Sequence, residues 1–189
     1  MVALGAELTL VPSAGGQTTQ KLILDMVETA RELAREPHTF WTDQLNNSDA
    51  IAGYFPLAEE ILRQMHGRLD AFVHSVGTAA CSRGAATVLK RHNREVRVAV
   101  VEPAESAVLS GGEAGPHKIE GIGIGYTPPL WDPSVVDEIQ PVATEEAKAM
   151  TRRLAREEGL FAGTSSGANV VAAIRLAERL GPQAKIVTL

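Results

Sequence analysis

The sequence predicts an α/β fold in which a parallel sheet is flanked by helices on both faces. Apolar runs of strand type alternate along the chain with amphipathic stretches of helix length. One strand-like run leads directly into a tight turn of small residues and then into a helix, which is typical of parallel sheets. The composition is 44% hydrophobic and 22% charged residues, which is typical of an ordered globular protein.

The first part of the chain contains two predicted strands and two predicted helices. Short apolar runs predict strands at Glu7–Val11 and His38–Trp41. A helix is predicted at Thr18–Arg35 because its apolar residues recur at helical spacing, at Leu22, Met26, Ala30 and Leu33. A second amphipathic stretch predicts a helix at Tyr54–His66.

The remainder of the chain continues the alternation, with one interruption. A long loop rich in glycine and proline, Glu102–Pro133, is predicted to separate two groups of elements. The predicted strands are Ala71–His74, Val96–Val101, Val135–Val142 and Lys185–Leu189, and the predicted helices are Cys81–His92, Thr144–Glu158 and Ser165–Leu180. Thr144, Glu146 and Ala147 supply capping chemistry at one helix start, and Gly181-Pro182 ends the last helix.

The composition excludes several classes of function. The net charge of −5 argues against a nucleic-acid partner, because no basic face stands out. No apolar run approaches the roughly 20 residues of a membrane helix, and the first residues do not resemble a signal peptide. The single cysteine, Cys81, fits a reducing compartment, and no histidines stand at metal-ligand spacing. We therefore expect a cytoplasmic protein without a metal site.

Three segments rich in glycine and hydroxyl groups are expected to meet at one edge of the sheet. They are Gly77–Gly84, Gly121–Gly125 and Gly163–Gly167. Each follows or lies near a predicted strand end, and open parallel sheets bind ligands at the carboxyl ends of their strands.

The segment Gly77–Gly84 is the strongest candidate for a phosphate site. Unpaired backbone N–H groups at the start of the following helix attract anions, and Thr78 and Ser82 offer hydroxyl donors. The alternative is a purely structural turn, since such turns need small residues. A dinucleotide site using Glu102 as the ribose-binding carboxylate is a further alternative, but the turn lacks the Gly-x-Gly-x-x-Gly pattern, and Pro103 suggests a structural role for Glu102.

Other polar residues have a structural as well as a functional interpretation. Ser165 and Ser166 stand at a predicted helix start, where one can cap the helix while the other faces a ligand. His117 and Lys118 are interpreted as a solvated pair in the long loop. Cys81 is interpreted as a small helix residue and not as a nucleophile.

One stretch resembles a known family closely. Residues 102–123, Glu-Pro-Ala-Glu-Ser-Ala-Val-Leu-Ser-Gly-Gly-Glu-Ala-Gly-Pro-His-Lys-Ile-Glu-Gly-Ile-Gly, resemble a hallmark of the cysteine synthase and cystathionine β-synthase family. The turn at Gly77–Gly84 and the segment Gly163–Ala168 match in the same order, as do the upstream segments Gly5–Leu10 and Gln44–Asn47. The resemblance implies the fold type II architecture of pyridoxal-phosphate enzymes, which is similar to that of tryptophan synthase β.

The resemblance also assigns roles to residues. The implied phosphate cradle is Gly77, Thr78, Ala79, Ala80 and Cys81; Ser165 would face the pyridine nitrogen, and the substrate contacts would be Gln44, Gly121 and Gly123. Family members usually carry Gly-Thr-Gly-Gly-Thr at the cradle. Alanine still supplies its backbone N–H, and its Cβ is tolerable if the turn keeps negative φ. Cysteine is a weaker donor than the usual threonine, so we expect weakened but not abolished cofactor binding.

The resemblance further implies a β-replacement on a serine derivative, such as O-acetylserine with a sulfur nucleophile. The family's early motif with the Schiff-base lysine does not occur here; the lysines are Lys21, Lys90, Lys118, Lys148 and Lys185. We therefore expect an incomplete fold belonging to a longer parent, with residues 1–45 as a remnant of the small N-terminal domain and 46–189 as most of the large cofactor-binding domain. No catalytic residue is assigned, and the chain alone is expected to be inactive.

An alternative is a non-catalytic homologue that acts as a binding or regulatory subunit. The resemblance implies a homodimer that binds an amino-acid substrate. It also names serine acetyltransferase as a partner by analogy alone.

Overall fold

The computed structural model describes residues 1–13 and 15–189 in full, and the backbone alone at residue 14. It contains one four-stranded parallel sheet in the order β3-β2-β1-β4. The strands are β1 (Ala71–Ser75), β2 (Arg97–Pro103), β3 (Glu138–Val142) and β4 (Ile186–Thr188). The predicted α/β fold with a parallel sheet is confirmed.

The helices are α1 (Gln20–Leu33), α2 (Asp49–Gly53), α3 (Phe55–Gln64), α4 (Ala80–His92), α5 (Thr144–Glu157) and α6 (Thr164–Leu180). The predicted helices all occur, with bounds shifted by one or two residues. Within the described part of the chain, no helix is both long enough and apolar enough to cross a membrane.

Helices cover both faces of the sheet because successive residues of a strand point to opposite faces. On one face, Val73 packs in a cluster with Leu176 of α6. On the other face, Phe72 packs with Leu89 of α4. Burial on both faces explains why the strands read as continuous apolar runs.

A close helix crossing fixes the start of α6. A Cβ on Gly167 would lie 2.2 Å from the carbonyl oxygen of Ala147 in α5, so only glycine permits this approach. The start of α5 is held by the Glu146 carboxylate, which accepts a hydrogen bond from the Ala143 N–H at 3.1 Å. The capping role predicted for Glu146 is confirmed.

Two predicted strands are wrong. Residues 7–11 pair with no strand in the described part of the chain, and Leu8 and Leu10 are exposed. A strand requires a hydrogen-bonded neighbour, so an apolar run alone is insufficient. Residues 38–41 form no strand either: His38 lies in a turn with a left-handed backbone (φ 64°), and residues 39–41 are irregular.

A third predicted strand is shorter than expected. The segment that was predicted at residues 135–142 begins its strand only at Glu138. Residues 133–135 form a 3-10 turn because the Asp132 carboxylate accepts a hydrogen bond from the Ser134 N–H at 3.0 Å.

Candidate functional site

The three glycine-rich segments meet at the carboxyl ends of the strands, as predicted. They enclose a cavity of about 280 Å³ next to the start of α4. Its lining consists of Gln44, His74, Ser75, Gly77, Thr78, Ala79, Cys81, Ser82, Gly121, Ile122 and Ser165. Every residue predicted for the site lies in this lining except Ala80 and Gly123.

The turn between β1 and α4 approaches the glycine loop very closely. A Cβ on Gly77 would lie 2.4 Å from the carbonyl oxygen of Gly121, so a larger residue at position 77 would displace the loop. Ala80 is buried at the first position of α4. The first N–H groups of α4 have no partner within the helix and lie beside the cavity.

Ala79 does not meet the condition under which its Cβ is tolerable in this turn. Its φ is +70°, in the left-handed region, and not negative. Ala79 is the N-cap residue of α4, a position that usually has an extended backbone. An alanine in this region costs roughly 1 kcal/mol relative to glycine.

The two hydroxyls of the turn differ in availability. Thr78 Oγ1 accepts a hydrogen bond from the Ala80 N–H at 3.3 Å, and no described residue accepts its own proton, which can serve a ligand. The Ser82 hydroxyl donates to the Ala79 carbonyl at 3.1 Å. Ser82 therefore serves the turn itself and is not the free donor that was predicted.

The glycine loop, residues 121–125, is held by a buried histidine. His117 Nδ1 accepts a hydrogen bond from the Ile119 N–H at 3.3 Å, which leaves the ring proton on Nε2. The Nε2–H then donates to the Gly123 carbonyl at 2.8 Å. The prediction of a solvated His117 is wrong, because this ring is 2% exposed.

Two glycines of this loop have different roles: Gly123 is needed for close packing, and Gly121 for its left-handed backbone. A Cβ on Gly123 would lie 2.5 Å from Pro103 Cγ and 2.9 Å from His117 Nε2. Gly123 thus packs behind the loop, away from the main cavity. Gly121 (φ 87°) would meet nothing within 4 Å and faces open space at the cavity.

Ser165 is free of the capping role that was one of its two interpretations. The N-cap of α6 is Gly163, and no side chain caps this helix start. The neighbouring Thr164 hydroxyl donates to the Glu120 carboxylate at 2.6 Å. That hydrogen bond is the main reason why the pKa of Glu120 lies below its usual range. It ties the glycine loop to α6 and leaves Ser165 at the cavity.

A larger cavity of about 510 Å³ opens beside the first. The two share Gln44, Gly77, Thr78, Gly121 and Ile122. Its outer wall is the apolar face of α1 with residues of the following loop, namely Leu22, Ile23, Met26, Val27, Ala30, Trp41 and Leu45. Gln44 therefore stands between a polar cradle and an apolar chamber.

Two titratable side chains line the smaller cavity. Burial raises the pKa of the Cys81 thiol to about 11, so the thiol is protonated near neutral pH and is not a nucleophile. Burial lowers the pKa of His74 to about 4, so the imidazole is neutral. His74 Nδ1 is buried without a hydrogen-bond partner among the described residues.

The alternative of a dinucleotide site at Glu102 is contradicted by the structure. Glu102 is buried, and its carboxylate accepts hydrogen bonds from the N–H groups of Leu109 at 2.7 Å and Ser110 at 2.9 Å. The Ser110 hydroxyl also donates to it. Glu102 therefore organises the long loop, as its position before Pro103 suggested.

The fold and the site define an α/β protein with a cavity at the carboxyl ends of parallel strands, beside the start of α4. The sequence profile of the pyridoxal-phosphate dependent enzyme family matches residues 1–189. The chain belongs to this family.

Relatives agree in sequence and in structure. The chain is 37% identical to a cysteine synthase of Staphylococcus aureus over 189 residues, covering 99% of this chain and 59% of the relative. The crystal structure of cysteine synthase from Entamoeba histolytica superimposes with a TM-score of 0.87 at 34% identity, covering 99% of this chain and 54% of the other. The structure of an O-acetylserine dependent cystathionine β-synthase from Helicobacter pylori superimposes with a TM-score of 0.81 at 37% identity, covering 86% of this chain and 53% of the other. The chain thus spans little more than half the length of these relatives.

The residues present fit pyridoxal phosphate. The small residue at Gly77 and the start of α4 leave a concave backbone surface suited to a phosphate. Gly121 presents an open backbone face, on which a flat ring can lie. Ser165 supplies a further hydroxyl to the cavity lining.

Sequence reasoning missed some residues at the site. Glu120 accepts a hydrogen bond from Thr164, which is distant along the chain, and His117 is bonded to the Gly123 carbonyl and the Ile119 N–H. The motif that carries the resemblance contains both residues, but periodicity gives no signal for such contacts.

Proposed function

We propose that this chain forms the cofactor-binding part of a cysteine synthase-like enzyme that replaces the β-substituent of a serine derivative. The observation that carries the proposal is the convergence of the turn at Gly77, the glycine loop and Ser165 on one cavity. The cysteine synthases among its relatives support the choice of reaction.

The cradle residues would hold the phosphate of the cofactor. The N–H groups at the start of α4 that no helix carbonyl pairs would donate to it, with the positive end of the helix dipole behind them. Thr78 adds a hydroxyl proton that no described residue uses. Ser165 would accept or donate a hydrogen bond at the ring nitrogen. When bound, pyridoxal phosphate supplies an electron sink for carbanion chemistry at an amino acid.

The substrate would lie between Gln44 and the glycine loop. The Gln44 side-chain amide can donate to a carboxylate, and the N–H and carbonyl groups of Gly121 can orient a polar substrate. The apolar wall formed by Leu22 and Met26 would exclude water from the reacting centre. An O-acetylserine side chain is short and uncharged, which suits this wall.

We also propose that the chain alone does not turn over. None of its lysines lies in the lining of either cavity. Lys21, Lys90 and Lys148 form ion pairs with Asp25, Asp137 and Glu145 on the surface. A Schiff base to the cofactor would need a lysine at the cavity. In this proposal residues 1–45 belong to a small domain and 46–189 to the large one.

The experiment is a titration of the purified chain with pyridoxal phosphate, followed in the visible spectrum, with borohydride reduction and mapping of labelled lysines. Saturable binding without stoichiometric labelling of one lysine is expected. Labelling of a single lysine, or formation of cysteine from O-acetylserine and sulfide by the chain alone, would contradict the proposed inactivity. Absence of any saturable binding would contradict the cofactor assignment.

A second candidate function is a non-catalytic binding or regulatory subunit. The strained Ala79 and the weak donor at Cys81 favour it, because both reduce the quality of the cradle. Co-purification with a catalytic homologue from the same cell, with changed activity of that homologue on addition of this chain, would support it. Unchanged activity of the homologue would count against it.

The assembly follows from the family resemblance. We propose a cytoplasmic homodimer, with serine acetyltransferase as a partner by analogy. Sedimentation equilibrium of the chain tests the homodimer, and a monomer would contradict it. Isothermal titration with the serine acetyltransferase of the same organism tests the partner, and the absence of binding heat would contradict that proposal.

A further inference from the structure

His74 occupies an unusual place at the end of β1. It lies two residues after Phe72 on the same face of the strand, with ring centroids 6.0 Å apart. Its ring forms part of the wall of the smaller cavity, beside the turn that begins at Gly77. No hydrogen bond joins either ring nitrogen to a described residue, and Nδ1 is buried. Nε2 is not among the buried atoms, so a ligand in the cavity would meet the ring at Nε2 and not at Nδ1.

The charges of the cavity lining indicate which kind of ligand His74 can bind. No lysine, arginine, aspartate or glutamate belongs to the residues that line the smaller cavity. Cys81 can only become negative on titration, whereas an imidazole can become positive. His74 is therefore the only side chain of the described lining that can supply a positive charge to an anion.

Charged groups close by along the chain are already paired. Arg83 of α4 donates to the Leu130 carbonyl at 3.2 Å and forms an ion pair with Asp132. Glu102 of β2 is held by the long loop. Neither competes for the His74 ring. The serines of the cavity lining, Ser75, Ser82 and Ser165, are neutral.

We propose that His74 contacts the ligand's phosphate: its ring N–H donates a hydrogen bond to a phosphate oxygen in the cradle, in place of the hydroxyl that Cys81 lacks. This inference rests on the proposed function, since the phosphate is that of the cofactor. A phosphate dianion beside the ring also stabilises its protonated form, so binding draws a proton onto His74. His74 thereby sets the affinity for phosphorylated over unphosphorylated forms of the cofactor.

The test uses the full chain with three probes: pyridoxamine 5′-phosphate, pyridoxamine and inorganic phosphate. The amine forms cannot react with surface lysines, so only the cavity is measured. Binding is measured by calorimetry for the unmodified chain and for His74→Gln, His74→Ser and the control His92→Gln. His92 is exposed in the last turn of α4, where its Nε2 contacts the Gly67 carbonyl at 3.2 Å.

We expect both His74 substitutions to weaken pyridoxamine 5′-phosphate and inorganic phosphate by about tenfold, as loss of a charge-assisted hydrogen bond would do. Binding of pyridoxamine should stay unchanged in all variants, and His92→Gln should match the unmodified chain. Unchanged phosphate affinity in the folded His74 variants would overturn the inference.

A second measurement keeps the test independent of folding in the variants. The chain has five histidines, and their Cε1–H signals can be followed by NMR in the unmodified protein, with His74 assigned through a variant. Phosphate should raise the pH midpoint of the His74 signal, whereas pyridoxamine should not. Binding of pyridoxamine 5′-phosphate without movement of this midpoint would overturn the role of His74 and leave the proposed function standing. Absence of binding by all probes would overturn both.

Discussion

The chain has two regions that differ in how deeply their side chains are buried. They are the N-terminal region, residues 1–45, and the sheet region, residues 46–189. In the sheet region, three clusters of buried side chains surround four parallel strands. In the N-terminal region no described residue is buried, and Leu4, Leu10 and Phe40 are each more than four-fifths exposed. Yet α1 supplies the apolar wall of the larger cavity. The difference shows that the cradle is part of a stable core, whereas its wall is held by a few surface contacts.

The largest expected effect separates the two regions directly. Leu89 of α4 is fully buried against Phe72 of the sheet, so Leu89→Ala should lower the free energy of unfolding by about 3 kcal/mol. Leu24→Ala in α1 removes a side chain that is 49% exposed and should cost less than about 1 kcal/mol. Urea denaturation measures both. Equal losses would mean that α1 belongs to the same cooperative core.

The contact between the regions can be broken at one glycine. A Cβ on Gly125 (φ 82°) would lie 2.6 Å from Gln20 Cβ at the start of α1. Gly125→Ala should therefore push α1 outward and cost about 2 kcal/mol. Gly121→Ala is the matched control, because Gly121 has a similar φ of 87° but meets nothing within 4 Å. It should cost about 1 kcal/mol, from backbone strain alone.

Hydrogen exchange identifies what moves in these two variants. The amides of α1 should exchange faster in Gly125→Ala than in Gly121→Ala, while those of β1 and β2 stay protected. Faster exchange throughout the sheet in Gly125→Ala would contradict the independence of the two regions.

A gain of stability is expected at the cradle. Ala79→Gly should raise the free energy of unfolding by about 1 kcal/mol, because glycine adopts the φ of +70° without strain. The control Ala80→Gly, in the first position of α4, should be neutral or slightly destabilising. Thermal unfolding distinguishes the signs. Destabilisation by Ala79→Gly would mean that the Cβ of Ala79 contributes more through packing than its backbone loses.

The smallest effect concerns pH. The hydrogen bond from the Ala143 N–H, and then Arg175, lower the pKa of Glu146. The carboxylate therefore stabilises the fold above the ordinary glutamate pKa, and this contribution is lost as pH falls through the lowered value. Glu146→Gln should cost about 0.5 kcal/mol at pH 7 and nothing at pH 2.

Asp25→Asn, which removes an exposed ion pair with Lys21 in α1, is the counterpart in the N-terminal region. It should change stability by less than about 0.5 kcal/mol at pH 7. Urea denaturation at pH 7 and pH 2 measures all three proteins. If Glu146→Gln were still less stable than the unmodified chain at pH 2, the ionised Glu146 carboxylate would not be the source of the stabilisation.

The sheet region could be predicted from sequence because its strands are apolar runs bounded by turns and its helices are amphipathic. The strand predicted at residues 7–11 failed because an apolar run does not reveal whether a partner strand is present. The burial of His117 was missed because it depends on Gly123 and Ile119 folding back around the ring. The positive φ of Ala79 was missed because alanine gives no signal for a left-handed backbone.

The candidate site was predicted in outline for a different reason. Three short glycine-rich segments are recognisable individually, and the rule for parallel sheets places their ends together. Which hydroxyl protons are available to a ligand could not be predicted, because that depends on rotation within a turn of a few residues. The separation of Thr78, with a free hydroxyl proton, from Ser82, whose proton is used within the turn, is an example.

The sheet order also dictates when the protein can form. The central strand β1 is paired on one side with β4, where Ala71 aligns with Ile186, so the pairing spans more than half of the sequence. Synthesis must pass residue 186 before this strand pair can close. Non-local pairings of this kind slow folding and leave apolar strands unprotected while synthesis continues. We therefore expect nascent chains that stop before residue 186 to depend on chaperones, and the cradle to be among the last parts of the molecule to acquire its shape.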